Sequence, residues 1–198
     1  MAPSGARGGT TDRPRDLRIR VDDDTELRLQ REEDAREYLD LIDGDRDRLR
    51  AFMEWVDHVT RIEDELAFLA DRVEEYDQGR GVPFAVWHRG RIIGATGTVT
   101  MDRANDAAEI GYFVAGEFEG RGIMAKAVRT FVDHMFGAED MNRLSARILT
   151  DNHRSLALIE RLGFTREGVH RQEYKLRGVH RDLVVYSLLR SEWESGMG

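Results

Sequence analysis

The chain alternates between segments whose apolar positions recur every second residue and segments whose apolar positions recur every third or fourth. Residues 26–30, ELRLQ, alternate as a strand does. Helical spacing then predicts helices over residues 31–43 and 46–56. A further helical pattern follows Thr60 and Glu63, whose T-x-x-E spacing is that of a capping box. The first part of the chain therefore predicts one strand followed by helices.

The middle of the chain predicts three strands in succession. Residues 83–101 contain two apolar stretches joined by HRGR, where Gly90 suits a tight turn that needs positive φ. RANDA, residues 103–107, predicts a second turn, and residues 108–114 predict the third strand. A helix with an apolar face follows a glycine-containing junction, and it extends over residues 121–136.

The last part predicts a strand, a helix and a closing pair of strands. RLSARIL is the strand, and the helix after it has Asn152 at its N-cap and Gly163 beyond its end. Residues 174–189 supply two strands around a turn that contains glycine. The predicted order is β, α, α, β, β, β, α, β, α, β, β, which indicates an α+β or α/β domain built around one mixed sheet.

Composition sets the size of that domain and its surroundings. The chain has 198 residues, of which 40% are hydrophobic and 34% are charged, so we expect one globular domain over residues 16–198. Residues 1–15 are rich in Gly, Pro and Arg and predict a disordered tail. No apolar run approaches the roughly 18 residues of a membrane span, so we expect a cytoplasmic protein that does not bind a membrane.

The charge and the residue types narrow the chemistry. The net charge of −8 disfavours nucleic-acid binding; it suits a cationic substrate, or solubility alone. Cysteine is absent, which excludes disulfides, thiolate metal ligands and a cysteine nucleophile. The His, Asp and Glu residues show no convincing metal-ligand spacing, so we expect no metal.

The junction EGRGIM, residues 119–124, predicts an anion site. The first N–H groups of a helix lack partners within the helix, and the helix dipole adds positive charge there. Gly120 and Gly122 would let an anionic group approach those amides without a Cβ in the way. The junction therefore predicts a site for a phosphate or pyrophosphate, without the Lys-Ser/Thr of a Walker loop or the spacing of a dinucleotide fingerprint.

The same stretch resembles the acyl-CoA motif Q/R-x-x-G-x-G/A of the GNAT N-acetyltransferases, in the form typical of the RimJ/RimL branch that acetylates ribosomal-protein N-termini. Glu119 stands where that motif has Gln or Arg, and Met124 where it has Gly or Ala. Three further stretches match the branch: LIDGDRDRLRAFMEWVDHV, DNHRSLALIERLGFTREG and GVHRDLVVYSLLRSEW. The resemblance covers about residues 25–193 and implies one GNAT-like domain whose mostly antiparallel sheet opens between two central strands to form the acyl-CoA cleft.

The resemblance also implies which residues bind acetyl-CoA. The pyrophosphate would lie at the backbone after Glu119, and the pantetheine arm would pair with two residues of the preceding strand. Asn152 would hydrogen-bond the pantetheine or its loop, and Ser155 would lie close to the thioester sulfur. The expected cofactor-binding residues are Phe113, Val114, Glu119, Gly120, Arg121, Gly122, Ile123, Met124, Asn152 and Ser155.

Two residues are the predicted catalytic pair. Glu109 is the candidate base for the incoming amine, with a strand-end ion pair as the alternative. Ser155 is expected to hydrogen-bond the leaving sulfur or a water, with helix capping as the alternative. Many members of the superfamily have a tyrosine proton donor four residues later, where this chain has Ile159. For Tyr112, packing in the core or the cleft is the default expectation.

The resemblance also implies an acceptor pocket and an acceptor. Trp55 and His58 lie in the segment that the resemblance places at the acceptor pocket, with core packing and a surface histidine as the alternatives. The predicted activity is acetyl transfer from acetyl-CoA to a primary amine, foremost a protein N-terminus. A small-molecule amine such as a polyamine, amino acid or antibiotic, and a CoA-binding sensor without turnover, stay open, as does a homodimer.

Overall fold

The strands form one sheet in the order β1-β2-β3-β4-β5-β6-β8-β7 in the computed structural model, which describes residues 13–196. All neighbouring strands are antiparallel except β5 and β6. The predicted mixed, mostly antiparallel sheet is confirmed. The strands are β1 Arg18–Arg20, β2 Thr25–Leu29, β3 Pro83–His88, β4 Arg91–Asp102, β5 Ala107–Val114, β6 Arg143–Leu149, β7 Thr165–Leu176 and β8 Val179–Leu189, and the helices are α1 Ala35–Arg50, α2 Ile62–Asp77, α3 Ile123–Gly137, α4 His153–Arg161 and α5 Arg190–Ser195.

Several elements differ from the predicted ones. The short β1 and the terminal α5 were not expected, and β7 begins at Thr165, earlier than predicted. The helices predicted over residues 31–43 and 46–56 are largely one helix, α1, with a kink at Asp45 where φ is −134°. A 3-10 turn, Trp55–Asp57, forms the rest of the second predicted helix.

The capping box predicted at Thr60 and Glu63 is wrong by one position. α2 begins at Ile62, and the carboxylate of Asp64 accepts hydrogen bonds from the N–H groups of Thr60, at 3.1 Å, and Arg61, at 2.9 Å. An aspartate three residues after the N-cap satisfies the same orphan donors that a glutamate would. The helix predicted there is confirmed, and only the residue that caps it differs.

The helices lie on opposite faces of the sheet. On β3, Phe84 packs in one apolar cluster with α3 and α4, whereas its neighbour Ala85 packs in another with α1 and α2. Successive side chains of a strand point to opposite faces, so α1 and α2 cover one face, and α3 and α4 cover the other. The core beneath α3 buries Met124, Ala127, Val128, Phe131, Val132, Met135 and Phe136.

β5 and β6 diverge soon after they meet. Their parallel pairing covers three residue pairs, from Ala107 with Arg143 to Glu109 with Ser145. Beyond Glu109, β5 pairs with β4 alone, up to Val114. The two strands therefore enclose an open wedge that widens from Glu109 toward the end of β5, which is the predicted splay of the central strands.

The ends of the described chain are simple. The tail predicted over residues 1–15 lies outside the described residues up to residue 12. Arg13 forms an ion pair with Glu139, and Arg15 forms one with Asp77, so contacts with the domain begin before residue 16. Among residues 13–196, no helix has the length and apolar character that crossing a bilayer requires.

Candidate active site

The start of α3 forms the wide end of the wedge. Gly120 and Gly122 have φ of 72° and 75°, a left-handed conformation that glycine adopts without strain. A Cβ at either position would meet nothing within 4 Å, so the space above the backbone is open. In the described chain no side chain caps α3, and its first turn contains no acidic residue.

This helix start therefore presents unpaired N–H groups to open space, as an anion site requires. The side chains of Ile123 and Met124 pack into or against the core, so only their backbone is available to a ligand. The guanidinium of Arg121 lies 5.4 Å from the centre of the Phe118 ring, at the rim. The geometry fits a pyrophosphate bound by main-chain amides.

Glu119, which replaces the usual Gln or Arg, is enclosed by arginines. Its carboxylate forms ion pairs with Arg48 of α1, at 2.7 Å, and with Arg154 of α4. Arg48 also forms an ion pair with Asp45 at the kink of α1. Positive charge thus stands beside the start of α3 even though the motif position itself is acidic, because Arg48 and Arg154 come from two other helices.

The predicted pantetheine-binding residues lie on the open edge of β5. Phe113 pairs with Ala95 and Val114 with Gly94, both on β4, which leaves the side toward β6 unpaired. The carbonyl oxygen of Val114 accepts a hydrogen bond from Arg48. A Cβ at Gly94 would collide with the backbone of Phe113, so the close approach of β4 and β5 requires a glycine there.

Glu109 lies at the narrow end of the wedge. It belongs to the last β5–β6 pair, and its side chain is 13% exposed. Arg147 of β6 forms an ion pair with it at 2.6 Å, and the hydrogen bond that Arg147 donates to Glu109 is the main reason that the pKa of Arg147 is raised. Arg147 also pairs with Glu173 of β7, at 3.0 Å. The structure places the candidate base in an ion pair, at the point where the strands part.

The start of α4 forms the opposite wall. Asn152 is the N-cap, and its side chain accepts a hydrogen bond from the Ser155 N–H at 3.2 Å, so the predicted cap is confirmed. The Ser155 hydroxyl does not cap the helix. It lies 2.7 Å from the Tyr112 hydroxyl, which also lies 3.2 Å from the Ser155 carbonyl oxygen.

Ile159, one turn after Ser155, is fully buried in the core beneath α4. A tyrosine acid at this position would have to displace that packing. Among residues 13–196, no group of three or more His, Asp or Glu side chains is arranged to hold a metal ion.

The predicted acceptor residues differ in their surroundings. Trp55 stacks on Phe68, with ring centres 6.3 Å apart, and tilts onto Phe113 at 5.6 Å. It thus forms an aromatic wall on the α1 and α2 face, against the strand that carries Glu109. His58 ends the 3-10 turn and is exposed. Trp55 belongs to the same surface as the wedge, and His58 is linked to Trp55 through its backbone N–H, which donates to the Trp55 carbonyl oxygen at 2.9 Å.

Three polar residues of the site were missed from the sequence. Arg48 and Arg147 are single arginines among many in this chain, and no spacing distinguishes them. Tyr112 was interpreted as packing alone, because its partner Ser155 is 43 residues away. The signal available for all three was their position on predicted elements next to the wedge, and the partners themselves are set by tertiary contacts.

Comparison with known proteins gives the same assignment as the geometry. Residues 25–165 match the acetyltransferase (GNAT) domain family. The chain is 31% identical over 176 residues to the "Putative ribosomal N-acetyltransferase YdaF" of Bacillus subtilis (strain 168), covering 88% of this chain and 96% of that protein. It is 24% identical over 169 residues to the ribosomal-protein-serine acetyltransferase of Escherichia coli (strain K12), covering 85% and 94%.

A solved structure extends the comparison to the bound coenzyme. The microcin C7 self immunity acetyltransferase MccE, determined in complex with acetyl-CoA and AMP, superposes with a TM-score of 0.84 and 26% identity, covering 89% of this chain and 97% of MccE. These relatives are acetyltransferases, which favours an enzyme over a sensor without turnover. The chain belongs to the GNAT family and is an acetyl-CoA-dependent N-acetyltransferase.

Proposed function

We propose that the acceptor is the N-terminal α-amine of a protein, of the kind that ribosomal-protein acetyltransferases modify. The observation that carries the proposal is the position of Glu109 at the narrow end of the wedge, on the same face of β5 as Phe113 and the Trp55 wall. The names of the two ribosomal acetyltransferase relatives support this acceptor. Phosphate groups would be held at the start of α3, at the other end of the wedge.

The chemistry of the amine favours an N-terminus over lysine. An α-amine has a pKa of about 7.7–8.0, so about a tenth of it is neutral at pH 7, and freeing the rest costs about 1.4 kcal/mol. A lysine amine, with a pKa of about 10.4, would cost more than about 4 kcal/mol by the same arithmetic. A site with one carboxylate that is already ion-paired suits the smaller task.

Arg147 has a second carboxylate partner, so its ion pair with Glu109 need not prevent Glu109 from binding an amine. Because Arg147 pairs with both Glu109 and Glu173, it can stay paired with Glu173 while Glu109 receives an ammonium group. The proton of the amine then passes to Glu109, directly or through a water, before the nitrogen attacks the thioester carbon. Positioning of the amine against that carbon supplies a large part of the rate enhancement.

Ser155 is the proposed partner of the departing sulfur. Its hydroxyl lies in the first turn of α4, on the wall opposite β5, and its backbone is held by the Asn152 cap. The sulfur carries only part of a negative charge while the C–S bond is breaking, so we expect its bond to this neutral hydroxyl to contribute about 0.5–1.5 kcal/mol, a modest share of the rate enhancement. Ser155 thus stabilises the charge on the sulfur through a hydrogen bond and keeps its own proton.

The test of the acceptor is a release assay for free CoA with a panel of amines. We expect peptides with a free N-terminus to be acetylated, and the same peptides with a blocked N-terminus and an internal lysine to be inactive. Mass spectrometry would locate the acetyl group. Faster turnover of polyamines, amino acids or aminoglycosides than of every N-terminal peptide would refute this acceptor and favour a small-molecule amine.

Glu109→Gln tests the proposed base with the best acceptor from that panel. We expect turnover to fall about 10²-fold near neutral pH and to recover at high pH, where the amine is already neutral. Glu167→Gln is the matched control, since Glu167 is a strand carboxylate paired with Arg143 at 2.6 Å, away from the wedge. An equal loss at every pH would assign Glu109 a positioning role instead.

A further inference from the structure

The Tyr112 side chain lies on the face of β5 opposite to Glu109, and its hydroxyl reaches α4. Tyr112 lies on the open part of β5, past the last residue pair with β6, and its ring packs against the core beneath α3 and α4. Its hydroxyl oxygen is 2.7 Å from Ser155 Oγ on α4. One hydrogen bond thus joins the two walls at the serine proposed to face the sulfur.

Two arrangements of the hydroxyl protons fit this geometry. The tyrosine O–H can donate to the Ser155 carbonyl, at 3.2 Å, while it accepts a bond from Ser155 Oγ. Alternatively, it donates to Ser155 Oγ, which leaves the serine proton free to point into the wedge. Only the second arrangement lets Ser155 donate to a sulfur atom.

We propose that Tyr112 is a positioning residue for the leaving thiol: its hydroxyl donates to Ser155 Oγ and thereby directs the Ser155 proton toward the sulfur of coenzyme A. The inference rests on the proposed role of Ser155. Tyr112 thus places a phenol beside Ser155 from β5, whereas the α4 position one turn after Ser155 is occupied by the buried Ile159.

The proton balance needs no tyrosinate. As the amine nitrogen bonds to the acetyl carbon, the C–S bond breaks and its electron pair stays on sulfur. The proton lost by the amine leaves through Glu109 or water, and the thiolate is later protonated by solvent. Burial raises the pKa of Tyr112 well above its usual range, so the phenol stays neutral and keeps its donor. Both hydroxyls keep their protons, and paired hydrogen bonds strengthen each other.

A double-mutant cycle on the full-length enzyme tests this, with the amine that the wild type acetylates fastest. Tyr112→Phe removes one oxygen and keeps the ring in the core. We expect kcat to fall about 3- to 12-fold while the KM for acetyl-CoA is unchanged, with a similar loss in Ser155→Ala. The variant with both changes should be no slower than either single one, because the two hydroxyls act as one unit.

Tyr186→Phe is the matched control for a lost tyrosine hydroxyl. Tyr186 of β8 donates to Glu160 of α4 at 2.7 Å, so it too bonds a strand to this helix, but it lies outside the wedge. We expect Tyr112→Phe and Tyr186→Phe to lower the melting temperature similarly and only Tyr112→Phe to lower kcat.

Three outcomes would overturn the inference. Full turnover in Tyr112→Phe with impaired Ser155→Ala would remove Tyr112 and leave the role of Ser155 intact. Losses that multiply in the double variant would mean that Tyr112 acts independently of Ser155. Unimpaired Ser155→Ala would remove both. None of these results bears on the identity of the acceptor, which the amine panel decides separately.

Discussion

The starts of α2 and α3 differ in the side chains and the charge that surround their backbone N–H groups. At α2 the Asp64 carboxylate accepts hydrogen bonds from the N–H groups of Thr60 and Arg61, and three acidic residues occupy the first turn. At α3 the N-cap is the left-handed Gly122, and among the described residues no side chain caps the helix. The acidic first turn of α2 would repel an anion, whereas the start of α3 has no acidic residue in its first turn and suits the anion site that we predict there. Uncapped amides next to open space are therefore the main structural reason to expect the co-substrate at the start of α3.

Giving α3 a cap of its own should have the largest effect. In Gly122→Asp the new carboxylate would accept hydrogen bonds from the N–H groups at the start of α3 and would repel the pyrophosphate. We therefore expect the affinity for acetyl-CoA to fall about 10²-fold or more. Calorimetry would measure it. Gly90→Asp controls for backbone strain, because Gly90 has φ of 79° and equally open surroundings. Unchanged affinity in a folded Gly122→Asp protein would place the phosphates elsewhere.

Removing the cap of α2 should affect stability alone. We expect Asp64→Ala to lower the melting temperature by a few degrees and leave acetyl-CoA affinity unchanged. The Thr60 and Arg61 amides lower the pKa of Asp64 below its ordinary 3.8. Its stabilisation is therefore present above that pH and is lost as pH falls through the lowered pKa, so the two melting temperatures should converge in acid. Equal melting temperatures at pH 7 would show that the cap contributes nothing net.

The smallest expected effect concerns charge beside α3. Glu119→Gln would remove a negative charge while Arg48 and Arg154 remain, so we expect acetyl-CoA to bind about threefold more tightly at low salt, and less so at high salt. Glu117→Gln, in the same loop but 61% exposed, should change affinity less. Weaker binding in Glu119→Gln would show instead that Glu119 is needed to hold the two arginines in place.

The elements of the core could be predicted from the sequence because their apolar spacing is local. The order of the strands from β2 to β8, the turns at Gly90 and Gly178, and the N-cap Asn152 are confirmed, whereas two of the helices predicted before β3 are largely one. β1 escaped prediction because three residues carry too little pattern and depend on pairing with β2. β7 was partly missed because this edge strand is almost entirely exposed, so its polar residues do not alternate with apolar ones.

The residues of the site likewise divide into those that local sequence indicates and those that depend on tertiary contacts. Gly120 and Gly122 were found because a helix start after glycines is a local signal, and their positive φ confirms the local conformation. Arg48, one partner of Glu119, and Tyr112, the partner of Ser155, lie 71 and 43 residues away along the chain, so no spacing could indicate them. The roles of Glu109, Trp55 and His58 stay predictions, because an acceptor would be needed to test them.

Within residues 13–196, β5 and β6 form the single parallel pair, and this has a consequence for how the family can diverge. Parallel neighbours require a crossover, and here α3 is that crossover, so it must begin beyond the end of β5. α4 follows the end of β6 and begins at the same edge. Connectivity alone thus brings two helix starts together over the wedge, whatever side chains cover the opposite face. If acetyl-CoA binds at these two helix starts, as we predict, its site follows from the topology, and substitutions on the α1 and α2 face could change the acceptor without disturbing it.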